Sequence, residues 1–133
     1  MARFSATVVD HFTNPRNSGQ LADADVRAFV GNPVCGDQIL LTAKVTDGVV
    51  TDVRFQAFGC SASLAVASLL TTALKGAPLD TITELDAAGV LELTGGLAPE
   101  QRHVAALAAD VTRRLVDNFR RGANDEDPIT CAP

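Results

Sequence analysis

Ile39-Leu40-Leu41-Thr42-Ala43-Lys44-Val45-Thr46-Asp47-Gly48-Val49-Val50-Thr51-Asp52-Val53-Arg54-Phe55-Gln56-Ala57-Phe58-Gly59 is the stretch whose reading decides the fold. Ile39, Leu41, Ala43 and Val45 alternate with Leu40, Thr42 and Lys44. That period of two is the pattern of a strand with one buried face. Asp47-Gly48 is a two-residue hairpin signal. Beyond it, Val49, Thr51, Val53, Phe55 and Ala57 alternate with Asp52, Arg54 and Gln56, which predicts the return strand. After Gly59 the pattern changes. Residues 61–75 are rich in Ala, Leu and Ser, and Gly76-Ala77-Pro78 stops them. This segment is apolar around most of its girth, so it is expected to be a helix lying against the sheet.

Outward from this centre, Val26 to Val30 predicts a further strand. Near the start, Phe4, Val8 and Phe12 recur at helical spacing until Asn14-Pro15, which predicts a short amphipathic helix followed by a turn to Gly19. Asp80 to Ala88 is expected to form a short helix with Asp80 as its cap. Pro99 and Glu100 open a last helix, with Val104, Leu107, Ala108, Val111, Leu115 and Phe119 as its buried stripe and Gly122 as its end. Strands first and helices afterwards predict the α+β class. The expected architecture is a three-stranded antiparallel sheet, polar on one face, with helices packed on the other. One domain is expected over residues 1–122, and a flexible acidic tail over 123–133.

The 133 residues suffice for a single core, and with 47% hydrophobic and 20% charged residues the composition is that of a soluble globular protein. With no Trp or Tyr, that core must be aliphatic with help from the six Phe. A formal net charge of -5 argues against nucleic acid as a partner. The longest apolar run, Leu64 to Leu70, is too short to span a bilayer, and Met1-Ala2-Arg3 does not lead into a signal-peptide core. The expected location is cytoplasmic, with no membrane association. There, three cysteines favour free thiols, metal ligation or redox chemistry over disulfides. The chain contains no nucleophile–base pair, phosphate loop or cofactor fingerprint, which argues against an enzyme with its own turnover.

Two of the cysteines stand in glycine-flanked settings. Cys60 follows Gly59 at the change from strand to helix, where a helix N-terminus favours thiolate over thiol. As a small buried hydrophobe it would fit the same place. Cys35 lies between Pro33 and Gly36 at a loop tip, and Asp37 two residues later can present a carboxylate to the same site or simply bond its own turn. His103 falls in the first turn of the last helix, and His11 in the first helix reads as structural. Two thiolates, a carboxylate and an imidazole suit zinc or iron. The spacing is not that of a zinc ribbon, which needs paired Cys-x-x-Cys.

These segments resemble the IscU/NifU/SufU family of iron–sulfur cluster assembly scaffolds (SufE/NifU-type fold). The resemblance rests on Val9-Asp10-His11-Phe12-Thr13-Asn14-Pro15-Arg16-Asn17, Gly31-Asn32-Pro33-Val34-Cys35-Gly36-Asp37, Phe55-Gln56-Ala57-Phe58-Gly59-Cys60-Ser61-Ala62-Ser63 and Lys75-Gly76, and spans roughly residues 4–121. It implies a shallow ligand set of Cys35, Asp37, Cys60 and His103, holding iron, a [2Fe-2S] cluster or zinc. It also implies a cysteine desulfurase as sulfur donor, apo-proteins as recipients, and a monomer or weak homo-oligomer. A zinc-holding sulfur-relay partner of the desulfurase, and a member that has lost its metal, are the alternatives.

The third family cysteine would follow His103, where this chain has Val104, which can neither ligate nor accept sulfur. Cys131 would reach back to that position only near full extension of the tail, at an entropic cost. Leu97-Ala98-Pro99-Glu100-Gln101 lacks the lysine of the chaperone-recognition stretch found in many relatives, so that interaction is not expected.

Overall fold

The computed structural model describes residues 5–32, 36–59, 61–97 and 102–122. Helix α1 (Ala6–Thr13) is followed by strands β1 (Val26–Asn32), β2 (Asp37–Thr46) and β3 (Val49–Phe58). Helices α2 (Ser61–Leu74), α3 (Leu79–Ile82), α4 (Ala87–Thr94) and α5 (His103–Arg121) complete the order. The sheet has the order β1-β2-β3 with both pairs antiparallel. α2 lies on β3 and β2, α5 on β1 and β2, and α1 and α4 pack outside them. This is the expected α+β architecture. Among the described residues, no helix is long and apolar enough to cross a membrane. The acidic tail expected over residues 123–133 falls outside the described residues.

At the β2–β3 turn, Asp47 (φ 53°) and Gly48 (φ 76°) both take left-handed backbone, as a twist-matched two-residue hairpin requires. Ile39, Leu41, Ala43 and Val45 face the helices as expected. In β3 the expected alternation is corrected at its first turn. A register shift between Lys44 and Val45 puts Val50 in the core and leaves Val49 half-buried and Thr51 exposed. Val53 and Phe55 then face inward, as expected.

The outer face is less polar than the sequence suggested. The segment after α1 crosses it, where Leu21 N–H donates to Thr42 Oγ1 at 3.0 Å, and both Thr42 and Leu40 are buried. Gly19 N–H donates to the Phe55 carbonyl at 2.7 Å and Phe55 N–H to the Asn17 carbonyl at 2.9 Å, which closes one half of the β3 edge. Val50 and Gly48 bond residues 76–79 along the other half. Asn118 Nδ2 of α5 donates to the Arg27 carbonyl of β1 at 2.9 Å. These contacts cover strand edges that would otherwise recruit other chains.

Ser5 caps α1 by accepting from Val8 N–H, and its hydroxyl donates to the Thr94 carbonyl at the end of α4. The buried side chains of α1 are Val8 and His11, whereas Phe12 stays 47% exposed. Val8 is thus buried as expected and Phe12 is not, while the neighbouring His11 is buried with a hydroxyl of α2 as its partner; Phe4 lies outside the described residues. Ser68 Oγ accepts from Arg16 N–H at 2.8 Å and is hydrogen-bonded to His11 Nδ1, 2.9 Å away. Burial first, then the charge of Arg16, holds the His11 pKa below its ordinary 6.5, against the opposing pull of Asp10. The unfolded chain therefore binds a proton that the folded chain still refuses. Stability is fully present above pH 6.5 and falls as the pH drops below it. Urea melts at pH 7.5 and 5.5 should show a smaller loss in His11→Gln than in the native chain.

The short helix expected over residues 80–88 is two elements. Asp80 lies inside the single turn of α3, where it pairs with Arg120 at 2.7 Å, and it caps nothing. Asp86 is the cap: it accepts from Gly89 N–H at 2.8 Å and starts α4. Asp86→Ala should cost about 1 kcal/mol in a denaturant melt.

Candidate functional site

Three chain segments meet at one end of the sheet. The first is the β1–β2 hairpin, closed by the pair Asn32 and Asp37, with Gly36 (φ 76°) leading into β2. The second is the β3–α2 junction at Gly59, beside Asp37 because Gln38 pairs with Phe58. The third is the start of α5, whose first residue is His103.

Asp37 is the centre of this corner. Its side chain is only 2% exposed, a costly place for a carboxylate without partners. Ser63, fully buried in the first turn of α2, donates its hydroxyl to Oδ1 at 2.8 Å. His103 Nε2 lies 2.5 Å from Oδ2, with the imidazole 33% exposed. Gly59 makes room for the carboxylate. A Cβ there would stand 2.0 Å from Asp37 Oδ1 and 2.8 Å from its Cα, and the residue holds φ +122°. Residue 59 must be glycine both for its backbone and for the space it leaves.

Two of the four residues singled out from the sequence, Asp37 and His103, are therefore in contact. Cys35 and Cys60 lie outside the described residues, as does Cys131. In the chain Cys60 directly follows Gly59, and Cys35 precedes Asp37 by two positions. His11 is engaged with Ser68 on α2. Val104, next to His103, is fully buried among the core side chains of α5. Ser63 escaped the sequence reading as a site residue. Its signal was a serine three positions after Cys60, in a helix whose other polar residues are Ser and Thr.

Carboxylate oxygen and imidazole nitrogen suit zinc or iron, and thiolates would add softer donors. Around a four-coordinate ion with bonds of about 2.0–2.2 Å, two donors sit about 3.4 Å apart. Both atoms of the Asp37–His103 pair can ligate one ion only if their 2.5 Å contact opens by roughly 1 Å.

The NifU-like N terminal domain profile matches residues 3–126. The iron–sulfur cluster assembly scaffold protein IscU 1 of Archaeoglobus fulgidus is 44% identical over 119 residues, covering 89% of this chain and 78% of that protein. The scaffold protein IscU of Escherichia coli K12 is 36% identical over 124 residues, 88% of this chain and 94% of its own length. In three dimensions, the crystal structure of a NifU-like N-terminal protein from Brucella abortus superposes with a TM-score of 0.73 at 22% identity, over 90% of this chain and 95% of that one, a likeness of fold. The chain thus belongs to the NifU-like N-terminal domain family of IscU-type iron–sulfur cluster assembly scaffolds.

Proposed function

We propose that this protein holds iron or a [2Fe-2S] cluster, with zinc able to take the same place, on Cys35, Asp37, Cys60 and His103. It passes that cargo to recipient apo-proteins and turns over no substrate of its own. Sulfur would come from a cysteine desulfurase, in the cytoplasm, with the scaffold acting as a monomer or weak homo-oligomer. The observation that carries this reading is the Asp37–His103 contact at the corner where both cysteine-bearing segments arrive. Chain connectivity supports it: in the sequence Cys60 directly follows Gly59, and Cys35 precedes Asp37 by two positions.

Two thiolates, a carboxylate and an imidazole give four donors, enough for one tetrahedral ion or for two protein ligands on each iron of a [2Fe-2S] cluster. The buried Val104 adds no donor. A ligand set with only two thiolates should hold a cluster less firmly than one with three, which suits a cargo that has to leave.

The test is metal analysis with visible spectroscopy on protein purified without oxygen, before and after reconstitution with iron, sulfide and thiol. The expected result is cluster absorption that disappears in Cys35→Ala and Cys60→Ala. Zinc that blocks cluster uptake would favour a sulfur relay, to be checked by mapping persulfide on the cysteines after incubation with a desulfurase. Absence of any bound metal, or metal content indifferent to both substitutions, would refute the reading.

A further inference from the structure

We propose that Ser63 is the positioning residue of this site, fixing which oxygen of Asp37 faces His103 and the cargo. The inference rests on the metal-holding reading above. An aspartate carboxylate has two equivalent oxygens on a torsion with a broad, roughly two-fold profile. Here that torsion is determined from one side. Oδ1 fills the space beside Gly59 where a Cβ would stand only 2.0 Å away, and it accepts the Ser63 hydroxyl at 2.8 Å. Oδ2 is thereby left on the side of the half-exposed imidazole, 2.5 Å from Nε2. Ser63 is fully buried on the first turn of α2, so its hydroxyl is itself held in place. When the Asp37–His103 contact opens for a metal, the Ser63 bond keeps the carboxylate from turning away.

Residues that orient metal ligands in this way characteristically contribute about 10–100-fold to affinity. The experiment measures zinc affinity of the full chain by competition with a chromophoric chelator. It compares the native protein with Ser63→Thr, Ser63→Val and Ser63→Ala. Thr and Val have the same shape and differ only by the hydroxyl, so any crowding cancels between them. Thr should bind like the native chain, while Val and Ala should bind about 10–100-fold more weakly. The His103 imidazole signals in a nitrogen-detected NMR spectrum should move in Val and Ala and stay in Thr. Equal zinc affinity of Val and Thr would overturn the proposal. If the larger pair does not fold, Ala decides, and native-like binding by Ala would overturn it. Failure of the native chain to bind zinc would refute the metal-holding reading, and Ser63 with it, before any variant is compared.

Discussion

Replacing Gly59 with alanine is expected to lower stability by about 3–5 kcal/mol and to abolish metal binding. Two effects act together. A non-glycine residue at the observed φ of +122° carries backbone strain of about 1–3 kcal/mol. The new Cβ would also fall 2.0 Å from Asp37 Oδ1 and 2.8 Å from Asp37 Cα, so the carboxylate and its strand must both move. Moving them disturbs the hydrogen bonds to Ser63 and His103, each worth about 0.5–1.5 kcal/mol. For a domain of this size the melting temperature should drop by about 10–20 °C, read by circular dichroism. Gly48→Ala is the control. It also has left-handed backbone, φ 76°, but nothing lies within 4 Å of the added carbon. Its cost should stay near 1–2 kcal/mol, roughly the price of the backbone alone, with metal binding intact. Equal losses in the two variants would mean that Asp37 is not wedged as described.

Phe55→Ala should cost about 3–5 kcal/mol in denaturant unfolding, with little change in zinc affinity. Phe55 is 1% exposed and among the largest fully buried side chains of a core that has no Trp or Tyr. It pairs with Leu41 across the sheet. Its backbone bonds to Asn17 and Gly19 survive the substitution, so the loss reports the cavity. Phe58→Ala sets the contrast. Phe58 is 60% exposed, and truncating it should change stability by no more than about 0.5 kcal/mol although it stands next to Gly59. A large loss at Phe58 and a small one at Phe55 would place the core on the wrong face of β3.

The reading of the sequence succeeded where the signal was local. The period-two alternation of β2, the Asp47-Gly48 turn, the Gly76-Ala77-Pro78 stop and the apolar stripe of α5 each depend on a few neighbouring residues, and each was found where expected. It failed where a neighbour distant in sequence decided the outcome. His11 is buried with a hydrogen bond to Ser68 on α2, a partner 57 positions away, while Phe12 stays exposed. Thr42 is buried where the segment after α1 crosses the outer face. Asp80 and Asp86 are both acceptable helix caps, and pairing with Arg120 of α5 accompanies the first outside that role.

The site divides in the same way. Residue types made Asp37 and His103 candidates, and the resemblance to the scaffold family is what joined them into one ligand set. Their contact joins residues 66 positions apart, and the Ser63 bond spans 26. No pattern along the chain encodes such separations, because they are settled by how helices α2 and α5 pack on the sheet. The sequence by itself determined the elements, their order and the chemistry available, through steric and hydrophobic preferences that act over a few residues. The tertiary structure alone decided that a buried carboxylate is wedged against Gly59, held by Ser63 and turned toward His103, because a buried carboxylate is costly without partners and takes them from whatever segments pack beside it.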